Sequence, residues 1–224
     1  MPEEWELTYQ SGGHNNSWPW TDLISLYYRY VGSVSEKLTV FEYGCGTGNN
    51  YPFFKSFGFN WNGIEFSETA VHLLLQKYPE LVDKVINNSF TDFSPEPRTA
   101  DLIVDRAGLT HCNLREIQET LQTIFIHLKP GGLYIGIDWF STSHSDFSAE
   151  GGLILETSHR DVVNNVSGQF AGLGKVHFTD SHEIRELFSD FEILHLSHKV
   201  IQDIFSHKSF ASWSLVARKP NEVK

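Results

Sequence analysis

Short apolar runs alternate along the chain with stretches whose apolar positions recur at helical spacing. The first kind reads as buried strand and the second as amphipathic helix, so the alternation predicts βαβ units and a mostly parallel sheet. Leu38 to Tyr43 is a strand that breaks at Gly44, Tyr51 to Phe57 a short helix, and Trp61 to Phe66 a second strand. Ser67 caps a helix through Tyr78, and Pro79 stops it, since proline disfavours helical backbone in the residue before it. Val82 to Asn87 is a weaker third strand, and Asp101 to Asp105 a fourth. Asn113 caps a helix to Leu128 with Leu114, Ile117, Leu121, Ile124 and Leu128 on one face. Lys129-Pro130-Gly131-Gly132 ends it, and Leu133 to Asp138 is a fifth strand.

The rhythm then fails. Trp139 to Thr179 is rich in Ser, His and Gly, and only Gly152 to Glu156 and Val162 to Val166 look regular. A loop of that length in a compact domain is usually functional or disordered. Asp180 or Ser181 caps a further helix through Phe188. Phe191 to Ile201 and Phe210 to Ala217 end the chain as strands with no helix between them, which predicts an antiparallel pair at a sheet edge. Upstream, Trp5 to Tyr30 is aromatic-rich and helical from Thr21 on. One domain results: 1–37 an N-terminal cap, 38–138 the core, 139–179 an insertion on the substrate side, and 180–224 a helix and strand pair.

Composition narrows the function. Of 224 residues 40% are hydrophobic, enough for a sizeable core. The net charge of −11 makes a poor polyanion binder, so no nucleic-acid partner is expected. No apolar run approaches the roughly 18–20 residues of a membrane helix, and the acidic start Met1-Pro2-Glu3-Glu4 is unlike a signal peptide. With only Cys45 and Cys112 there is neither a disulfide framework nor a zinc pattern, so a reduced, cytoplasmic protein is expected, as monomer or homodimer.

The most informative segment is Val40-Phe41-Glu42-Tyr43-Gly44-Cys45-Gly46-Thr47-Gly48-Asn49. A strand enters a turn with glycine at alternate positions and then opens a helix. Glycine admits positive φ and lets a ligand approach the backbone, while the following helix start offers free N–H groups. Such a cradle sits at the carboxyl end of the first strand, where open α/β sheets bind ligands. The third glycine comes one residue early for a dinucleotide fingerprint, and Glu42 is foreign to it, which disfavours a dehydrogenase.

E-x-G-x-G-x-G at this place resembles the class I S-adenosylmethionine-dependent methyltransferases. Gly63-Ile64-Glu65-Phe66-Ser67, Asn88-Ser89-Phe90, Asp101 to Arg106 and Leu128 to Leu133 resemble their later landmarks in the same order. The resemblance covers about Leu38 to Asp138 and the terminal strands more loosely. It implies a Rossmann-like, doubly wound sheet of about seven strands with the last one antiparallel. It implies S-adenosylmethionine as cofactor, with contacts from Glu42, Gly44, Cys45, Gly46, Gly48, Glu65, Phe66, Ser89, Phe90, Asp105 and Arg106. A carboxylate accepts from two vicinal ribose hydroxyls, which suits Glu65. Phe66 and Phe90 suit the adenine ring. Glu42 or the Gly44 carbonyl suits the ammonium, and Asp105 or an aromatic face the sulfonium. The family commonly has Asp where this chain has Ser89.

Methylating a hydroxyl requires alignment with the sulfonium and removal of a proton. His111, leaving the fourth strand, is the first candidate base, because an ordinary imidazole titrates near neutrality. Asp138 at the end of the fifth strand, then His144, Asp146, His159 and Arg160 in the insertion, are the next candidates for chemistry or acceptor binding. The insertion's His and Asp match no ligand spacing, so no metal is expected. Trp5, Tyr9, His14, Trp18 and Trp20 are candidates for the other wall of the pocket. The D/N-P-P-Y-type run of DNA amino-methyltransferases is absent. The expected reaction is therefore methylation of a small polar metabolite, at a hydroxyl of a phosphorylated or sugar-like acceptor. The alternatives are N-methylation of an amine, protein or RNA, and a non-catalytic partner subunit.

Overall fold

The computed structural model describes residues 3–32, 36–148, 153–154, 160–163 and 167–221. The chain enters through α1 (Glu3–Gln10) and α2 (Thr21–Tyr30). It continues as β1 (Thr39–Tyr43), α3 (Tyr51–Ser56), β2 (Asn60–Glu65), α4 (Glu68–Lys77), β3 (Val85–Asn87) and β4 (Ala100–Arg106). Then come α5 (Leu114–His127), β5 (Leu128–Phe140), the short strands β6 (Leu153–Ile154), β7 (Asp161–Val163) and β8 (Lys175–His177), α6 (Ser181–Leu187), β9 (Glu192–Gln202) and β10 (Ser209–Arg218).

The main sheet has seven strands in the order β3-β2-β1-β4-β5-β10-β9. The first five are parallel to one another, and β10 runs antiparallel between β5 and the edge strand β9. This is the mostly parallel sheet that the alternation of apolar runs predicts, in the doubly wound α/β form that the resemblance implies. Successive strand residues face opposite sides. Val40, Leu102, Val104, Ile135 and Ile137 pack with α2, α3 and α4, whereas Phe41, Ile103 and Tyr134 pack with α5 and α6. Covering both faces is what turns these strands into near-continuous apolar runs.

Side-chain caps set the helix starts. Ser67 accepts from the Ala70 N–H, Asn113 and Glu116 form a reciprocal capping box, and Asp180 accepts from the His182 and Glu183 N–H groups, so Asp180 rather than Ser181 opens α6. Three features depart most from the sequence expectation. β3 begins at Val85, because Pro79–Leu81 winds a single 3₁₀ turn first. Lys129 to Gly132 does not separate α5 from its strand but bulges within β5, where Leu128 lies opposite Ala100 and Leu133 opposite Leu102. The segment before Thr21 also contains α1, a helix with no buried residue and hence no periodic apolar signal.

The stretch after β5 carries its own three-stranded sheet, ordered β6-β7-β8. Phe140, Val162, Phe170, Val176 and Phe178 form its core. It is tied to α6 through His177, fully buried, whose ring nitrogens lie 2.6 Å from Asp161 and 3.1 Å from Glu183. Among the described residues no helix is long and apolar enough to cross a membrane.

Candidate active site

The carboxyl ends of β1, β2, β4 and β5 meet at one edge of the sheet, and the glycine turn leaves β1 there. Gly44, Gly46 and Gly48 have φ of 68°, 53° and 75°, which residues with a Cβ rarely adopt. The Gly44 and Cys45 N–H groups donate to the Ile64 carbonyl at 2.9 and 3.1 Å and tie the turn to β2. At the end of β2 the buried Glu65 carboxylate accepts from the Gly46 N–H at 2.9 Å and the Ser67 N–H at 3.0 Å, one donor on each oxygen. A carboxylate oxygen holds more than one acceptor site, so both remain able to take a further donor. Burial pushes this carboxyl above its ordinary range.

Behind the turn, Glu42 accepts from Asn50 Nδ2 at 2.7 Å and Trp61 Nε1 at 3.1 Å. Burial raises its pKa to about 7, and the charges of Asp105 and Glu65 add to the shift. Asp105 is wholly buried and accepts from four donors, namely the Gly108 and Leu109 N–H groups, Tyr134 Oη and Trp139 Nε1. Burial raises its pKa to about 6.

The N-terminal segment lies over the turn. Glu6 of α1 accepts from Ser67 Oγ at 2.5 Å and from the Thr69 hydroxyl. A Cβ on Gly46 would stand 2.9 Å from Tyr9 Oη. The Trp20 N–H donates to Asn50 Oδ1 at 3.2 Å, and the Arg106 guanidinium lies 3.5 Å from the centre of the Trp20 ring.

Between these parts lies a cavity of about 310 Å³. At one end it is lined by Gly44 to Thr47, Glu42, Glu65, Phe66 and Phe90. At the other it is lined by Trp5, His14, His111, Phe140, Gln169, Phe170, Leu173 and Phe210, with Tyr9, Trp20 and Arg106 also on the wall. His111 is fixed: Nδ1 donates to the Lys175 carbonyl at 3.3 Å, and among the described residues Nε2 has no partner. This assigns the neutral tautomer with its lone pair on Nε2. The ring meets Trp5 edge-on at 4.8 Å between centroids and packs near Phe140 and Phe170. Burial drives its pKa down to about 4, so the imidazole is neutral at physiological pH.

Of the residues singled out in the sequence, Trp5, Tyr9, His14, Trp20, Glu42, Gly44, Cys45, Gly46, Glu65, Phe66, Phe90, Arg106 and His111 line this one cavity. Others stand apart from it. Gly48 packs against Leu74, and Ser89 caps the single turn Phe90–Asp92. Asp105 is saturated behind the wall. Asp138 accepts from Arg106 Nη2 at 2.8 Å and Ser212 Oγ at 2.9 Å, so it braces Arg106 instead of facing the cavity. His144 is spent on the Asp146 N–H and Gln169. Trp18 is 79% exposed, and Arg160 pairs with Asp180 at 2.5 Å. His159 lies outside the described residues. Among these, no cluster of His, Cys, Asp or Glu could hold a metal ion.

The sequence reading missed Phe140, Gln169, Phe170, Leu173 and Phe210. Phe140 ends β5, two residues past Asp138, where strand alternation offered a signal. The others reach the site only through the insertion and the β9–β10 hairpin.

A family model for the methyltransferase domain matches residues 18–196, most of the chain. The chain belongs to this methyltransferase family. It is an S-adenosylmethionine-dependent methyltransferase. Comparison with curated protein sequences finds no match. Solved structures share the fold. An S-adenosylmethionine-dependent methyltransferase from Methanosarcina mazei superposes with a TM-score of 0.71 at 18% identity, covering 91% of this chain and 100% of its own. The 1,6-didemethyltoxoflavin-N1-methyltransferase of Burkholderia thailandensis, with its acceptor and S-adenosylhomocysteine bound, gives 0.69 at 16% identity and covers 98% and 87%. A Haemonchus contortus phosphoethanolamine N-methyltransferase gives 0.63 at 13% identity, over 98% of this chain and 57% of that one.

The residues at the glycine-turn end fit the family's cofactor. They supply a left-handed glycine cradle, a buried carboxylate with acceptor capacity to spare for a diol, and two rings for a flat base. Trp5 Nε1 and Arg106 Nε, on two cavity-lining residues, are buried without a partner among the described residues.

Proposed function

We propose that this methyltransferase methylates a hydroxyl oxygen on a small, uncharged acceptor with a flat apolar body, and that His111 removes the proton. The observation that carries this reading is His111 itself: buried, neutral, oriented through Nδ1 and presenting an open Nε2 on a wall of aromatic rings. In this reading the cofactor supplies an electrophilic methyl group when bound. Glu65 accepts from the ribose hydroxyls. Phe66 and Phe90 flank the adenine, and Glu42 with the Gly44 carbonyl faces the ammonium. Asp105 has no part in contacting the sulfonium, because its oxygens are saturated behind the wall. That leaves the aromatic faces of the cavity for it.

His111 acts on the acceptor. Nε2 takes the hydroxyl proton as the oxygen attacks, and the Lys175 carbonyl stabilises the imidazolium through Nδ1–H. A buried base of low pKa is fully unprotonated at neutrality but a weak proton acceptor, so transfer must be concerted with attack.

The acceptor class departs from the polar, phosphorylated or sugar-like molecule expected from the sequence, while the hydroxyl as acceptor atom is the same. The acceptor end presents Trp5, Phe140, Phe170, Leu173 and Phe210, and among the described residues Arg106 is the only Lys or Arg on the cavity wall. Among the described residues a phosphate finds no second cation there, and an ammonium finds no carboxylate at that end. This favours a hydroxyl over the amines that the named N-methyltransferase neighbours suggest.

The test is methyl transfer from labelled S-adenosylmethionine onto matched phenolic hydroxyls, aryl amines and sugar phosphates, read by mass spectrometry. Methyl ethers from the phenols alone, abolished in His111→Ala, are expected. Methylamine products with His111→Ala fully active would overturn the reading.

A further inference from the structure

We infer that Gln169 is a specificity residue of the acceptor end: its side-chain amide donates to a carbonyl oxygen or ring nitrogen of the methyl acceptor, and His144 positions it. The inference rests on the acceptor reading above and deepens it, adding a hydrogen-bond-accepting atom to the flat hydroxylated body.

The Asp146 N–H donates to His144 Nδ1 at 3.0 Å. Nδ1 therefore carries a lone pair, and the neutral ring holds its proton on Nε2. Burial lowers the pKa of this imidazole and keeps it neutral at physiological pH. Nε2–H donates to Gln169 Oε1 at 3.3 Å. A carboxamide has one accepting end and one donating end, so committing its oxygen to His144 fixes which way round the amide stands. The end left over is Gln169 Nε2, two N–H donors with no partner among the described residues.

The surroundings hold this arrangement. His144 is 3% exposed, and its ring centroid lies 4.8 Å from Phe170, 5.5 Å from Phe210 and 5.9 Å from Phe178. Both chain neighbours of Gln169 are tied to Asp146. The Phe170 N–H donates to Asp146 Oδ2 at 3.0 Å, and a Cβ on Gly168 would stand 2.5 Å from the same carboxylate. Gln169 is itself exposed and lines the cavity, which puts its amide at the rim of the acceptor end. His111 and His144 both pack against Phe140 and Phe170, so the base and the amide share one aromatic wall. Two N–H donors on such a wall favour a ligand atom with a lone pair and disfavour an ammonium. An acceptor that offers a hydroxyl to His111 and a carbonyl oxygen or ring nitrogen to Gln169 satisfies both. His144 touches neither reacting group and acts through Gln169.

Calorimetric titration of the full chain saturated with S-adenosylhomocysteine tests this without turnover. The probes are para-hydroxyacetophenone against para-ethylphenol, and the meta isomers of the same pair, which differ only by a carbonyl in place of a methylene. The wild type should bind the ketone of at least one pair about five- to tenfold more tightly, the worth of one neutral hydrogen bond. Gln169→Leu should erase that preference and leave ethylphenol binding unchanged. Gln169→Glu, which accepts but cannot donate, should reverse it. His144→Phe keeps a buried ring but frees the amide to turn, so the preference should shrink while ethylphenol and S-adenosylhomocysteine bind as before. His111→Ala should keep the preference.

A wild type that binds the phenols without distinguishing ketone from ethyl in either pair overturns the subsite and leaves the acceptor reading standing. So does a Gln169→Leu variant that keeps the preference. A His144→Phe variant that weakens both phenols alike overturns its positioning role. If no phenol binds the cofactor-product complex, the acceptor reading itself fails and the subsite with it.

Discussion

The two ends of the cavity are built differently. The glycine-turn end is made from strand termini and backbone: N–H groups of Gly44, Cys45, Gly46 and Ser67 are locked to the Ile64 carbonyl and the Glu65 carboxylate. The far end is made from side chains that three separate segments lend to it: Trp5 and His14 from the N-terminus, Phe170 and Leu173 from the insertion, and Phe210 from the hairpin. In the proposed reading the backbone-built end, set by the fold, takes the ligand that all such enzymes share, and the side-chain-built end, which can be exchanged segment by segment, is where one acceptor is told from another.

Breaking the far end should have the largest effect. His111→Ala is expected to lower kcat by about 10²–10⁴-fold, the usual worth of a positioned base. Burial also sets the pH response. With a pKa of about 4 instead of the ordinary 6.5, His111 stays unprotonated as pH falls through neutrality. Rate profiles should therefore be flat from mildly acidic to neutral pH and fall only on approach to about 4. A limb near 6.5 would contradict the burial of this ring. Stability carries the opposite signature. The unfolded chain binds a proton at His111 below about 6.5 and the folded chain does not, so burial costs more as pH drops from 6.5 to 4. His127, also driven down to about 4 by burial, adds to the same trend. Thermal melts should show Tm decreasing across that window.

Breaking the near end comes next. Glu65→Ala removes the acceptor for two buried N–H groups as well as the assigned ribose contact. Its affinity for S-adenosylhomocysteine should fall by about 1.5–3 kcal/mol, read by calorimetry. Gly46→Ala joins the two ends. A left-handed φ of 53° costs an alanine about 1–2 kcal/mol. The new Cβ would also meet Tyr9 Oη at 2.9 Å, so the tip of the Tyr9 ring must move off the turn. Denaturant unfolding should show a loss of that size, accompanied by weaker cofactor binding.

The smallest effect is expected at Trp18. It is 79% exposed and off the cavity wall, so Trp18→Ala should change stability by less than about 0.5 kcal/mol and leave kcat alone. A large loss there would extend the acceptor site beyond the cavity.

The same contrast decided what could be read from the chain. Local rules specify the glycine turn, the capping residues and the strand that ends in Glu65, and these elements stand where periodicity puts them. The far end depends on packing between distant segments. Phe170 and Phe210 carry no motif, and α1 buries no residue, so neither period nor cap announced it. Asp138 and His144 looked chemical by type and place. Their partners, Arg106 and Ser212 for the one and the Asp146 N–H and Gln169 for the other, come from side-chain geometry that spacing cannot reveal. Asp105 lies on a strand end as expected, yet its four donors hold it behind the cavity wall.

The division of labour between the two ends is tested most directly by titrating S-adenosylhomocysteine into His111→Ala and Glu65→Ala side by side. This measurement needs no acceptor. His111→Ala should bind within about twofold of the wild type, because His111 sits at the acceptor end, while Glu65→Ala should lose roughly ten- to hundredfold. Equal losses in both variants, or a loss confined to His111→Ala, would contradict the account.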